Sequence, residues 1–267
     1  MRGRLAGGAR RLAGLWLVPV VIAVWEVTTR LLEDTDFPPP STIVTSMYEL
    51  WFSGPPSRLF FTDEAIGNIL PSLGRMFAGW ILAAVIGVLL GVALGRAPVA
   101  TQYVDPLIQL GRAIPPPLLV SLFALLFREE LRTQLATIVF GVIWPVLLNS
   151  IEGARSVDPV QVETATVFGL SRRQQLWRIV IPAAAPKIFA GLRLSLSLAL
   201  ILMVIAEVFA GSDGIGYQLR EAQREFETPI VWGAIVLLGV LGYLVNSLFV
   251  LAESRLLVWH RQATRAT

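Results

Sequence analysis

The sequence predicts an all-α membrane protein, a polytopic helix bundle with about six transmembrane helices. Three observations support this fold class. The 267 residues are 55% hydrophobic and only 15% charged, whereas soluble domains carry about 25% charged residues. The mean hydropathy is +0.67, too apolar for a disordered chain. The apolar residues also gather in long runs, several near the ~20 residues that cross a bilayer core.

Six apolar runs follow one another along the chain. Three lack charged residues, namely 76–95, 133–151 and 229–252. The other three contain a few charged residues, namely 12–32, 105–127 and 188–210. The run 105–127 also contains Pro115-Pro116-Pro117, and we expect a break in the helix there because proline cannot continue an α-helical hydrogen-bond ladder.

The first run follows an Arg-rich start, so it could be a cleaved signal peptide or a retained anchor helix. No small-residue cleavage site follows it, only Glu33-Asp34-Thr35-Asp36. We therefore expect an N-terminal anchor helix in residues 1–35. An extracytoplasmic segment over 36–70 would then start extended and become helical from a Ser41 cap.

Lys and Arg residues are divided unevenly between the two sides of this topology. The side that receives both termini and the loops 96–104 and 152–187 holds more than twice as many as the other. The positive-inside rule then places both termini in the cytoplasm. The sequence pI near 9.8 therefore reflects the basic residues of the cytoplasmic loops and termini. It does not indicate nucleic-acid binding, because the basic residues form no single face.

The composition excludes several kinds of catalytic site within these residues. Cysteine is absent and His260 is the single histidine, so a cysteine nucleophile, a multi-histidine metal site and a histidine-containing triad cannot form. No G-x-x-x-x-G-K-[ST] nucleotide loop occurs either. We expect no enzyme activity, and no metal or cofactor bound by this chain.

Glycines spaced by four residues mark the second run. Gly87, Gly91 and Gly95 would form one smooth stripe on a helix, which lets another helix approach closely. That partner could be a helix of the same chain or one of another subunit.

The loop 152–187 has the clearest local signals. Asp158-Pro159 is typical of a helix start, and Gln161 completes a capping-box pattern. We expect this helix to run to Phe168 and stop at Gly169, which can adopt the left-handed conformation.

A second short helix should open at Ser171, with Gln174 as its capping-box partner, and end at Pro182. It presents a ridge of apolar and basic residues, namely Arg172, Arg173, Leu176, Trp177, Arg178 and Val180. Such a ridge can dock into a cleft of another protein or rest on anionic lipid. The residues alone favour neither.

The same loop resembles the EAA loop of ABC-transporter permeases, E-A-A-x(3)-G-x(9)-I-x-L-P. Thr164 replaces one alanine and Ile181 replaces the leucine. The resemblance implies a type I importer (MetI-like) permease fold, in which this loop docks into the ATPase subunit. The predicted coupling residues are Glu163, Thr164, Ala165, Gly169, Leu176, Trp177, Arg178, Ile179 and Pro182. Glu163 could pair with an arginine, or simply favour the helix N-terminus.

Further segments over about residues 37–260 resemble the nitrate/sulfonate/taurine branch of these permeases. They are Phe37–Ser41, Ser72–Arg75 with Gly79-Trp80, Asp105-Pro106 with Arg112–Pro115, Gly191–Arg193, Ala206-Glu207 and Gly214–Gly216. One departure is Leu126–Glu130, where the branch has W-F-G-x-G.

The resemblance implies a bacterial inner-membrane subunit of an ATP-driven importer for a small, anionic solute such as nitrate, a sulfonate or taurine. Its partners would be ATPase subunits that bind ATP and Mg²⁺, an extracytoplasmic binding protein and a second copy in a homodimer. Residues 71–260 would form the core permease domain, with the coupling loop 152–187. The alternatives are a permease of this family for another small organic such as a thiamine precursor, or a secondary transporter, which predicts internal repeats.

Polar residues within the runs are candidates for the solute pathway, namely Gln109, Arg112, Ser121, Asn149, Arg193 and Glu207. Ionisable groups in a membrane span are costly unless paired or functional. Arg112 lies beside the proline break, where helix ends line cavities. Arg193 could instead snorkel to the interface, and Asn149 could join two helices. Glu207 could serve as an outer gate or contact the binding protein.

Overall fold

The computed structural model describes residues 16–32 and 36–257, which are mainly helical and contain no β-strand in these ranges. The α-helices are α1 Leu17–Leu32, α2 Pro40–Met47, α3 Asp63–Gly95, α4 Pro98–Ala113, α5 Pro116–Phe127, α6 Glu130–Arg155, α7 Pro159–Val167, α8 Arg172–Gln175, α9 Ile181–Ala210, α10 Ile215–Arg224 and α11 Thr228–Leu256. Two π-helical segments, Tyr48–Phe52 and Leu176–Val180, follow α2 and α8.

The apolar helices confirm the predicted membrane bundle. Among the described residues, α3, α6, α9 and α11 belong to four helical stretches long and apolar enough to cross a membrane. The pair α4 and α5 passes the same test together. The first predicted run, 12–32, contains α1, and its residues 12–15 lie outside the described residues.

The proline triplet breaks the third run as expected. The axes of α4 and α5 are bent by 93° from each other. Pro115 is the N-cap residue of α5, and Ile114 before it is extended, because the proline ring disfavours α conformation in the preceding residue.

The chain divides into two compact units. One contains the described residues up to Gly67 together with 218–237. Its centre is Trp51, which is fully buried and donates from Nε1 to the Gln218 side chain at 3.2 Å. Trp232 packs its ring against Trp25 at 5.4 Å between ring centroids.

The predicted Ser41 cap is wrong. Helix α2 begins at Pro40, and its N-cap residue is Pro39, two positions before Ser41. Pro40 suits the first helical position because that position needs no N–H bond. Ser41 instead donates its backbone N–H and its hydroxyl to the Glu26 carboxylate, at 3.0 and 2.7 Å.

The second unit contains residues 68–217 and the described residues from Leu238 onward. Buried side chains of α3, α6 and α9 form its main core, namely Met76, Ala83, Ile138, Val142, Ala199, Leu202 and Met203. A second core joins the end of α3 to the segment after α8, and consists of Val92, Ala154, Val157, Val180, Ala184 and Ile188.

The glycine stripe of α3 packs against α6 of the same chain. A Cβ atom added at Gly91 would lie 2.4 Å from Ser150 Cβ and 2.7 Å from the carbonyl oxygen of Leu147. Gly87 and Gly95 lie similarly close to α6. The close approach of two helices within the chain therefore accounts for the four-residue spacing.

Adding one methyl group to this stripe should destabilise the protein. We expect Gly91→Ala to lower the free energy of unfolding by about 1–3 kcal/mol, because the new methyl group overpacks the contact with α6. Gly74→Ala is the matched control on the same helix, since a Cβ there meets nothing within 4 Å. Thermal unfolding in detergent measures both, and equal unfolding temperatures for the two variants would contradict the packing argument.

Candidate functional site

The elbow, residues 158–182, begins with the helix start predicted from the sequence. The Asp158 carboxylate accepts from the backbone N–H of Val160 at 2.9 Å. The predicted reciprocal bond with Gln161 is replaced by a backbone bond, from the Gln161 N–H to the carbonyl of Asp158 at 3.1 Å. The start of α7 is therefore fixed by a single side-chain cap.

Gly169 ends α7 as predicted. Its φ is +74°, a left-handed conformation that favours glycine. The Leu170 N–H then reaches back to the carbonyl of Ala165 at 2.9 Å, and the Gly169 N–H to that of Thr166 at 3.0 Å. These two bonds satisfy carbonyls that the end of the helix leaves free, so the turn between α7 and α8 has a defined geometry.

The second elbow helix opens as predicted, but Pro182 does not end it. Ser171 and Gln174 form the full capping box. The chain then continues through the π-helical segment into α9 without a break. The Ile181 N–H bonds to the carbonyl of Leu176 across the wide π turn. Pro182 is the second residue of α9 and lies directly after this π turn.

The elbow divides the predicted coupling residues into two groups. Ala165 is buried, and Leu176 and Ile179 pack against the second core. Pro182 is half-buried. Glu163, Thr164, Gly169, Trp177 and Arg178 are exposed, and Glu163 forms no ion pair within the described residues. The buried and half-buried residues hold the elbow against the bundle, and the exposed residues are available to a partner.

The sequence did not predict two further exposed apolar residues, which lie at the end of α7. Val167 and Phe168 are 85% and 78% exposed, and Trp177 is 61% exposed. Large apolar side chains that stay exposed mark interaction surfaces when they occur together. The signal available in the sequence was their place directly before Gly169, at the end of a short helix.

Glu207 lies near the other end of α9 and is fully enclosed. Its carboxylate accepts from the Ser72 hydroxyl at 2.7 and 2.9 Å and from Arg75 at 2.9 Å. The backbone N–H of Gly216 donates to it at 2.9 Å. Arg75 also pairs with Asp213. We call Ser72, Arg75, Glu207, Asp213 and Gly216 the carboxylate cluster.

The cluster joins three segments of the second unit. Ser72 and Arg75 belong to α3, Glu207 to α9, and the backbone of 213–216 leads into α10. The Ser72 hydroxyl oxygen also accepts from the Ile215 N–H at 2.9 Å. Gly214 has a φ of +104°, and a Cβ there would lie 2.5 Å from the carboxyl carbon of Glu207. Only glycine fits at this position.

This enclosure corrects the suggestion that Glu207 contacts a binding protein directly. All its polar contacts are internal, so its role in this conformation is to hold α3, α9 and the start of α10 together. The pairing partner Arg75 is 132 residues away in sequence. No local pattern indicates such a pair, apart from the position of Arg75 at the edge of an apolar run.

The remaining pathway candidates are spread over several helices, and none hydrogen-bonds to another within the described residues. Gln109, Arg112 and Ser121 are exposed on α4 and α5. Asn149 donates to the carbonyl of Pro145 in its own helix at 2.8 Å. Arg193 donates to Asn246 of α11 at 3.2 Å, in an open groove of about 780 Å³. No group of acidic, histidine or cysteine residues suited to a metal ion occurs among the described residues.

Residues 83–258 match the family described as binding-protein-dependent transport system inner membrane component. SsuC of Bacillus subtilis, named for aliphatic sulfonates transport, is 34% identical over 92% of this chain and 87% of its own. The taurine transport permease TauC of Escherichia coli is 28% identical over 90% and 87%. The nitrate import permease NrtB of Synechococcus elongatus is 30% identical over 77% and 74%.

A solved structure has the same fold. The MetNI methionine ABC transporter in an inward-facing conformation matches with a TM-score of 0.61 at 16% identity. The match covers 71% of this chain and 93% of the other.

Proposed function

The chain belongs to the family of binding-protein-dependent transport system inner membrane components, and from this premise we propose that it is the transmembrane subunit of an ATP-driven importer for a small oxyanion. As an ABC importer permease it is a transport component. The proposed solutes are sulfonates, taurine and nitrate, delivered by an extracytoplasmic binding protein.

The exposed elbow is the observation that carries the proposal of an ATPase partner. Trp177, Val167 and Phe168 present apolar surface to solvent, beside the exposed Arg178 and Glu163. An aromatic residue flanked by charge is typical of the residues that dominate binding energy at protein interfaces. We infer that the elbow docks into a groove of an ATPase subunit, which would bind ATP and Mg²⁺.

The choice of solute rests on the relatives and on Arg112. The relatives carry the names of transporters for aliphatic sulfonates, taurine and nitrate, which all present negatively charged oxygen atoms. Arg112 is exposed at the end of α4, beside the break between α4 and α5. A guanidinium there would attract an oxyanion, because it offers several hydrogen-bond donors on one fixed positive charge.

The arrangement in the membrane is part of the same proposal. Both termini and the elbow would face the cytoplasm, in keeping with the distribution of Lys and Arg. Residues 36–70 would lie outside, after an anchor helix in 1–35, and 71–260 would form the permease core. Two copies of the chain would assemble as a homodimer with two ATPase subunits.

Uptake by proteoliposomes tests the proposal. The chain would be reconstituted with its ATPase and binding protein, and vesicles with or without enclosed ATP would be given labelled taurine, ethanesulfonate, nitrate or a thiamine precursor. We expect uptake of at least one of the first three solutes only with ATP and the ATPase subunit. Uptake driven by an ion gradient without the ATPase would favour a secondary transporter. Uptake limited to a thiamine precursor would overturn the proposed solute class.

A further inference from the structure

A cavity of about 420 Å³ lies where the end of α3 meets the elbow. Its lining residues are Arg96, Arg172, Gln175, Leu176 and Val180, which all belong to the second unit. No acidic side chain occurs among the described residues that line it. We call it the arginine cavity, because two guanidinium groups are its charged groups.

The packing of two helical segments brings these arginines together. Val92 of α3 and Val180 after α8 belong to one buried core cluster, and Leu176 packs against it. The Arg96 N–H bonds to the Val92 carbonyl at 3.2 Å, and the Leu176 N–H bonds to the Arg172 carbonyl. Residues four positions apart lie on the same helical face. Each arginine therefore lies one turn beyond a residue that belongs to this core or packs against it.

Neither guanidinium of the cavity has a partner of its own. Both arginines are exposed, and within the described residues neither side chain forms a hydrogen bond or an ion pair. Lys187, by contrast, pairs with Glu152 at 2.8 Å. Two like charges that share a cavity repel each other, whereas an anion between them is attracted by both. A guanidinium also offers fixed donors that match the oxygen atoms of a phosphate or sulfonate group.

The length of α3 places the arginine cavity near the surface of the membrane. Residues 76–95 of this helix carry no charge and lie between Arg75 and Arg96. At 1.5 Å per residue they span about 30 Å, which is the thickness of the hydrocarbon core. Arg96 would therefore lie at the level of the lipid head groups, on the side that the proposed topology gives to the cytoplasm. Basic pockets between helices at this level bind anionic lipid head groups.

We propose that the arginine cavity binds one oxyanion group between Arg96 and Arg172, either the phosphate of an anionic lipid or a free ion of the same chemistry. The bound group would tie the end of α3 to the elbow, because each segment provides one arginine. Leu176 and Val180 would supply an apolar wall beside it. Trp177 of the proposed ATPase surface does not line the cavity, so the anion and the ATPase subunit can bind together.

Binding of fluorescently labelled phosphatidylglycerol to the detergent-purified chain tests the cavity. We expect Arg96→Gln and Arg172→Gln each to raise the Kd about tenfold or more, because each removes a charge-assisted contact. The double variant should lose less than the product of the two single losses, since both arginines would hold the same group. Arg155→Gln is the control. Arg155 is exposed at the end of α6 and does not line the cavity, so its replacement should change the Kd by less than about twofold.

Free anions identify the source of the bound group. Inorganic phosphate or ethanesulfonate would be added in excess at constant ionic strength. Displacement of the lipid by either ion would show that the cavity accepts a free oxyanion, and lipid binding that persists would assign it to the lipid phosphate. The unfolding temperature without lipid should match that of the parent in all variants, since the replaced side chains are exposed.

Two results would overturn the inference. One is a Kd that stays the same in Arg96→Gln and Arg172→Gln, which would include the case where these variants instead release the ATPase subunit and so belong to a protein interface. The other is an equal loss of affinity in Arg155→Gln, because the lipid would then respond to the positive charge of the whole surface. Neither result depends on transport, so the importer function is tested separately.

Discussion

Arg75→Met should lower the free energy of unfolding by about 3–5 kcal/mol, the usual cost of leaving a buried charge without its partner. Glu207 is fully enclosed, and Arg75 is the cation that contacts its carboxylate at 2.9 Å in the described structure. The methionine side chain has similar length and fills most of the space, so the loss reports the charge more than a cavity. Thermal unfolding in detergent and the amount of protein in membranes would both show the effect.

A second substitution distinguishes the charge from the packing. The double variant combines Arg75→Met with Glu207→Gln. The new glutamine side chain is neutral and keeps the contacts with Ser72 and Gly216, so we expect the double variant to be more stable than the Arg75→Met protein. Arg132→Met removes an exposed arginine paired with Glu129 and should change the free energy by less than about 0.5 kcal/mol. Equal losses for Arg75→Met and Arg132→Met would contradict the importance of the buried pair.

Trp177→Ala should abolish uptake while leaving the permease folded. Trp177 is 61% exposed, so its removal exposes little new apolar surface. A central aromatic residue of an interface contributes about 2–4 kcal/mol to binding, which corresponds to a roughly 30- to 1000-fold weaker complex. Co-purification of the ATPase subunit and ATP-dependent uptake should therefore both be lost, whereas the unfolding temperature of the permease alone should stay near that of the parent.

Gly169→Val tests the same docking surface by changing the backbone conformation of the elbow. The φ of +74° is unfavourable for a β-branched residue, so the turn between α7 and α8 should be displaced and the ATPase subunit released. Phe226→Ala is the control, since Phe226 is 87% exposed and lies outside the elbow. Normal uptake and co-purification in Trp177→Ala and Gly169→Val would show that the ATPase binds elsewhere.

Features with a local cause could be predicted from the sequence. Apolar runs of adequate length predicted the helices of the bundle, and the proline triplet predicted the break before α5. Asp158, Gly169 and Ser171 predicted where the elbow helices begin and end. In each case, backbone sterics or nearby hydrogen bonds decide the structure within a few residues.

Features that depend on distant partners could not be predicted. Arg75 and Glu207 meet because α3 and α9 pack together, and neither residue has a sequence neighbour that indicates the other. The end of the second elbow helix was placed wrongly at Pro182, because a π turn before a proline is a change of register that composition does not show. The exposed position of Trp177 and the inward position of Leu176 also depend on that register.

The helix runs without interruption from α8 through the π turn into α9, so the segment Arg172–Ala210 can transmit a movement of the elbow along its length. At about 1.5 Å per residue it is roughly 58 Å long, and a tilt of about 5° at the elbow would move its far end by about 5 Å. That end holds Glu207 and, through it, Arg75 of α3. A substitution that makes the π turn more flexible would therefore uncouple the elbow from Glu207, while the local structure at both places stays intact.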